Sequence, residues 1–230
     1  MPNVLSLKHV CKIYNENTKF PTQVLFDINL DIKEKSFNAI IGQSGSGKST
    51  ILNILGLLDD PSCGQVFIND QEVELLTKNE KSHIRNNVLG FIFQFHYLLP
   101  EFTALENVLM PYRISGKKVT KEIEQRALEL LEDVGLGAYK DNLSTNLSGG
   151  QQQRVAIARS LMNHPKIVLA DEPTGNLDSD TTDQIYDILR KVNKKYGTTF
   201  IVITHNDDIA KKADRIIELK DGKVLNDKTI

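Results

Sequence analysis

No charge of one sign dominates this sequence. Its 28 lysines and arginines face 30 aspartates and glutamates, a formal net charge of −2, so no global basic field draws in nucleic acid or an acidic lipid surface. Long apolar runs are missing as well. Stretches such as 39–41 and 200–203 fall far short of the ~20 residues that a membrane-crossing helix needs, and the chain is not expected to span a bilayer. Cysteine is scarce: Cys11 and Cys63 are the only two and have no Cys-x-x-Cys spacing. Both read as reduced packing or surface thiols outside any mechanism. The first eight residues, Met-Pro-Asn-Val-Leu-Ser-Leu-Lys, contain no basic segment leading into an apolar stretch, so no secretory signal is expected and the cytoplasm is the expected location. Internal repeats, low-complexity tracts and heptads are also lacking.

What is present fits a soluble enzyme. The 230 residues, 40% hydrophobic and 25% charged, suffice for one substantial core or a core plus a subdomain. Short alternating runs in 4–35 and again in 65–68 predict strands. Residues 37–41 form an apolar strand that enters a glycine-rich loop and then a segment of helical length, 49–57. Helical spacing over 122–134 ends at Gly135, a C-terminal cap position. A helix over 148–163, a strand over 167–170, a helix over 179–196 and a strand over 199–204 then alternate, the pattern of a parallel sheet with crossovers.

The glycine-rich loop carries chemistry. Gly42-Gln43-Ser44-Gly45-Ser46-Gly47-Lys48-Ser49-Thr50 has the phosphate-loop spacing between a predicted strand and a predicted helix. Glycines there let successive amides converge on phosphate oxygens at a helix N-terminus. Lys48 is placed to reach the terminal phosphates of ATP, and Ser49 offers a hydroxyl to Mg2+. The apolar strand at 167–170 ends in Asp171 and Glu172, carboxylates that are costly there unless they serve a cation or a proton. Asp171 suits Mg2+, as a direct ligand or one step removed, and Glu172 suits the carboxylate that orients and deprotonates the attacking water.

Leu147-Ser148-Gly149-Gly150-Gln151, followed by Gln152-Gln153-Arg154, resembles the signature motif of ABC ATPases. Physically it is a second anion site, a serine and glycine amides opening a helix. The resemblance covers essentially the whole chain. It implies an α/β P-loop NTPase (RecA-like) with a parallel-sheet core, an antiparallel β-subdomain and a helical ABC subdomain. The core is expected over about 1–94 and 165–230, the helical subdomain over about 95–164, all in one ABC domain.

Further roles follow from the resemblance alone. Tyr14 resembles the aromatic that stacks on adenine, and Gln94 the Q-loop glutamine that senses Mg2+, water and the membrane partner. Asn176-Leu177-Asp178 resembles the D-loop, and His205, after the 200–204 strand, the switch histidine. His9, His83, His96 and His164 keep structural readings. The family implies a homodimer closing over two ATP molecules, with Ser148, Gly149, Gly150 and Gln151 of one chain meeting the nucleotide held by the other.

The run 90–100 with Thr103-Ala104-Leu105-Glu106-Asn107-Val108, and Asp-Glu-Pro-Thr-Gly-Asn-Leu-Asp at 171–178, resembles the LolD and MacB branch and is closer to the LolD type. That implies an ATPase peripheral to the cytoplasmic face of the inner membrane, energising LolC/LolE-type subunits that release lipoproteins. Efflux by a MacB-like system, or an ATP switch on a membrane partner, would use the same ATP site. The apolar and aromatic segment 95–109 is expected to receive a helix of the membrane subunit.

Overall fold

The computed structural model describes residues 2–230, without the side chains of Asp207 and Asp208. The chain divides into two compact units, Met1–Arg85 with Thr199–Ile230, and Asn86–Thr198.

The first unit begins with two long strands, β1 (Asn3–Tyr14) and β2 (Thr22–Lys33). In β2 the alternation predicted from sequence is physical: Ile28, Leu30 and Ile32 point inward while Asp27, Asn29 and Asp31 face water. Strand β3 (Phe37–Ile41) leads to helix α1 (Lys48–Leu55), then β4 (Cys63–Ile68), the two-residue β5 (Gln71–Glu72) and α2 (Lys78–Asn87). Strands β2, β1, β4 and β5 pair in that order as an antiparallel sheet, matching the expected antiparallel β-subdomain.

Strand β6 (Leu89–Ile92) opens the second unit. Helices α3 (Ala104–Ile114), α4 (Lys121–Asp133) and α5 (Gly149–Ser160) follow, then strand β7 (Ile167–Asp171) and helix α6 (Ser179–Tyr196). The chain ends in the first unit with β8 (Thr199–Ile203), the short α7 (Asp207–Ala210), β9 (Arg215–Lys220) and β10 (Lys223–Thr229).

In the first unit β3 lies between β8 and β9, parallel to both, and β10 closes the edge antiparallel to β9. Every residue of β8 and the first four of β3 are buried, as expected of parallel strands covered on both faces. Buried Asn38 is half satisfied there: its amide nitrogen donates to the Ser36 hydroxyl at 2.8 Å and the Phe200 carbonyl at 3.1 Å, while its side-chain oxygen has no hydrogen-bond partner.

In the second unit β6 and β7 pair in parallel. Helix α5 packs against α3, α4, α6 and β6, which is why Val155, Ala156, Ile157 and Ala158 are all buried in consecutive positions. Thr103 and Ser148 each form a capping box, with Glu106 and Gln151 respectively. The predicted helix at 122–134 is α4, and Gly135 takes φ 76° just beyond it. No helix among the described residues is long and apolar enough to cross a membrane.

Candidate functional site

The phosphate loop hangs between the buried strand β3 and helix α1. Gly42 leaves the strand with its Cα against neighbouring backbone: a Cβ there would lie 2.2 Å from the Leu219 carbonyl oxygen, so only glycine fits. Of its polar residues Ser46 and Lys48 are buried, whereas Gln43, Ser44 and Ser49 are exposed. Lys48 is buried, and its ammonium donates to the carbonyls of Gly42 at 2.7 Å and Gln43 at 2.8 Å. Ser46 is only 5% exposed, and its hydroxyl is among the few buried side-chain groups without a hydrogen-bond partner. Such an orphan costs roughly 1–3 kcal/mol, and a loop that keeps one is shaped for a ligand that satisfies it. A triphosphate fits: it offers acceptors to the amides, to Ser46 and to a lysine already folded over the loop.

Two further residues belong to this unit. His205 follows β8 after buried Thr204, whose amide donates to the Ile40 carbonyl at 3.2 Å. With Ile40 opposite Ile203 in the ladder, His205 and Gly42 emerge at the same, C-terminal edge of the parallel strands, where ligands of open α/β sheets bind.

Tyr14 ends β1 and is 36% exposed. Its hydroxyl donates to Asp59 at 3.0 Å, and the Lys12 ammonium sits 4.9 Å from its ring centroid. Lys12 is itself held by Asp59 at 2.6 Å and the Asp60 carbonyl at 2.7 Å. Burial raises the Asp59 pKa, but the Lys12 and Tyr14 hydrogen bonds outweigh it and hold the carboxyl below its usual value. Tyr14 was singled out from sequence and Lys12 and Asp59 were not, because their pairing joins distant parts of the chain.

In the second unit, Ile92 pairs with Ala170, so Gln94 and the acidic pair Asp171 and Glu172 leave the same end of β6 and β7. Glu172 turns out of the strand with φ 42°, a left-handed conformation rare for a non-glycine residue. Such outliers persist where surrounding structure imposes them, often at active sites. The Glu172 carbonyl accepts from the Gly175 amide at 3.0 Å, closing a tight turn. Gln94 reaches the same turn, donating to the Asn176 side chain at 3.3 Å. The glutamine and the 176–178 segment, separate motifs in the sequence, are thus one hydrogen-bonded structure.

Ser148, Gly149, Gly150, Asn176 and Asp178 line one cleft of about 550 Å3, with Arg154 at its wall. Ser148 accepts from the Gln151 amide at 3.3 Å, while the Ser148 amide donates to the Gln151 side chain at 2.9 Å. The N-terminus of α5, with its unpaired first-turn amides and the positive end of the helix dipole, lies at this cleft. Asp178 caps α6, accepting from the Thr181 amide at 2.9 Å, and this bond lowers its pKa.

The 95–109 segment divides. Phe95 and Tyr97 are exposed at 61% and 66%, whereas Ala104, Val108 and Leu109 are core. Helix α5 braces the exposed part. Half-buried Arg159 donates to the carbonyls of His96 at 2.6 Å and Tyr97 at 2.7 Å, and buried Gln153 meets the His96 ring at 2.6 Å. Arg159 was not singled out from sequence, and Gln153 entered only as part of the signature run.

Among the described residues no group of three or more His, Cys, Asp or Glu is placed to hold a metal. Mg2+ does not require one, since it is commonly held by one or two protein oxygens together with phosphate and water. The hydroxyl and carboxylate oxygens of Ser49 and Asp171 and the amide oxygen of Gln94 are of the right kind.

The ABC transporter family pattern matches residues 25–175. The chain is 47% identical over 224 residues to the lipoprotein-releasing system ATP-binding protein LolD 1 of Rhodopseudomonas palustris, covering 97% of this chain and 99% of that protein. It superposes on the dimeric bacterial ABC transporter cassette MJ0796 with a TM-score of 0.88, 44% identity and 98% of each chain covered. A post-hydrolysis dimer of the same cassette bound to ADP and Pi gives 0.87 at 43% identity, again with 98% of each chain covered. CbiO1 from Clostridium perfringens, part of the transporter complex cbiONQ, gives 0.90 at 27% identity, covering 100% of this chain and 89% of that one. With its phosphate loop, acidic strand end and capped signature helix in the order and fold of these cassettes, the chain belongs to the ABC transporter family as an ATP-binding subunit.

Proposed function

We propose that this subunit hydrolyses ATP as a homodimer on the cytoplasmic face of the inner membrane and energises LolC/LolE-type membrane subunits that release lipoproteins. In the structure, one observation carries the ATP reading: the buried, unpartnered Ser46 hydroxyl beside a lysine folded onto its own loop. The near-full-length likeness to a lipoprotein-releasing ATP-binding protein supports the choice of cargo.

The amides of 42–48 bind the phosphates, and Lys48 leaves the Gly42 and Gln43 carbonyls for their oxygens. Tyr14 stacks on the adenine. Thr50 and the first turn of α1 complete the cradle. Ser49, Gln94 and Asp171 would hold Mg2+, which when bound would supply positive charge to the phosphates.

Glu172 takes a proton from the attacking water as the water oxygen bonds to the γ-phosphorus and the bond to the bridging oxygen breaks. His205 orients that water and the γ-phosphate. The opposite subunit contributes Ser148, Gly149, Gly150 and Gln151, whose helix N-terminus meets the γ-phosphate. Residues 95–164 act as the helical signature subdomain, presenting Phe95 and Tyr97 to the membrane partner.

Glu172→Gln should leave ATP affinity near wild type, reduce turnover by at least about a hundredfold, and trap an ATP-bound dimer on gel filtration. Normal turnover would remove Glu172 from the mechanism. Pull-down from native membranes reads the cargo. Lipoprotein-release subunits with lipoproteins that leave on ATP addition support the proposal, and an adaptor with a macrolide-type permease replaces it with efflux.

A further inference from the structure

Cys11 and Cys63, distant in sequence, face each other across β1 and β4 as register partners. A bulge makes this pairing. Lys8 stands opposite Gln65, and an unbroken antiparallel ladder from there would set Val10 against Cys63 and Cys11 against Ser62. One extra residue in β1, where His9 takes φ 53°, moves Cys11 onto Cys63. Gly64 permits it: a Cβ there would lie 2.3 Å from the His9 carbonyl oxygen.

Both thiols converge on that same oxygen, Cys11 Sγ at 3.7 Å and Cys63 Sγ at 3.8 Å. Directly opposed residues of an antiparallel pair have Cα atoms about 4.5–5.5 Å apart, inside the ~4.4–6.8 Å that a disulfide spans. Cys63 is exposed and Cys11 half-buried, so a small reagent reaches the first and the second waits beside it. The adjacent Cys11 thiol, together with burial, pushes the Cys63 thiol above its ordinary range, which slows the first attack without removing the partner that completes the second.

We propose that Cys11 and Cys63 form a redox-active dithiol that takes a low-molecular-weight disulfide as oxidant and closes to an intrachain disulfide joining β1 to β4. Cys63, as thiolate, attacks one sulfur of the small disulfide. That S–S bond breaks, and the departing small thiolate takes up the proton Cys63 released. Cys11, as thiolate, then attacks Cys63 Sγ of the mixed disulfide and expels the second small thiol, which takes the Cys11 proton. Two protein thiols are oxidised to one disulfide, and one small disulfide is reduced to two thiols. The resulting covalent loop encloses β2, β3, the phosphate loop and α1.

The test uses the full chain, reduced and then treated with oxidised glutathione, followed by intact mass and non-reducing electrophoresis. The expected product has lost two hydrogens, retains no glutathione, migrates as a monomer, melts at higher temperature and reverts with dithiothreitol. In Cys11→Ser the glutathione adduct on Cys63 should accumulate at one per chain. Phenylarsine oxide, which bridges two close thiols without forming an S–S bond, should bind one per chain and lose that binding in Cys11→Ser and in Cys63→Ser. Stable glutathione adducts on the wild-type chain, disulfide-linked dimers as the main product, or thiols left unreacted where a reference dithiol oxidises would each overturn the proposal, as would absent arsenical binding.

Discussion

Lys12 and Asp59 hold the ring of Tyr14, the residue proposed to stack on adenine. The carboxylate fixes the phenol oxygen, and the ammonium sits over the ring. Orienting an aromatic in advance lowers the entropy lost when a base stacks on it. Asp59→Ala should therefore weaken ATP binding by about 3–10-fold, the size of one aromatic contact, and leave inorganic tripolyphosphate binding unchanged. Calorimetric titration with both ligands reads this. Equal losses for both would mean that Asp59 supports the phosphate loop, and no loss in a Tyr14→Ala control would remove Tyr14 from the site altogether.

At the scale of elements, Gly150 sets how closely two helices approach. A Cβ on it would meet the Thr181 methyl at 2.7 Å, and Thr181 is not free to turn away because its hydroxyl donates to Asp178 at 2.8 Å. Gly150→Ala must either break the α6 cap or displace the first turn of α5, at a cost of about 1–3 kcal/mol. Near-native helicity with roughly tenfold weaker ATP-dependent dimerisation in the Glu172→Gln background is the expected result, read by sedimentation at several protein concentrations. Dimerisation at wild-type strength would show that the opening of α5 does not meet the second nucleotide.

Elements of this kind were legible in the sequence where local rules decide them. The phosphate loop needs its glycines at fixed spacing. Helix α4 has both its apolar stripe and Gly135, and α6 has Asp178 at its start and Gly197 at φ 63° beyond its end. Helix α3 was not read as a helix, since Pro111 lies inside it and only four of its residues are buried. Strand β6 is four residues long, too short for a period to appear. The Lys12–Asp59 pair, the Arg159 brace and the opposed cysteines are tertiary. The last depends on a one-residue bulge that no spacing rule reveals.

Over the whole molecule the near-balance of charge conceals aspartates with perturbed pKa values in both units. Asp59 serves the first. In the second, Asp133 at the end of α4 accepts from Lys195 at 2.5 Å and from the Tyr196 hydroxyl at the end of α6. Burial raises the Asp133 pKa, but the Lys195 and Tyr196 hydrogen bonds dominate and leave it below the usual aspartate value. An aspartate whose folded pKa is lowered binds fewer protons folded than unfolded, so its stabilisation is fully present above about pH 3.9 and is lost as pH falls through the folded value. Asp133→Asn removes the pairing at every pH. With the lysine half-exposed, the discounted loss near neutrality is roughly 1–2 kcal/mol, a fall in melting temperature of roughly 2–8 °C in a chain of this size. Melting curves of both proteins from pH 7 to pH 3 should converge at the acid end, because protonation makes in the wild type the change that the substitution makes permanently. Parallel curves with a constant gap would mean that Asp133 acts by packing rather than by charge.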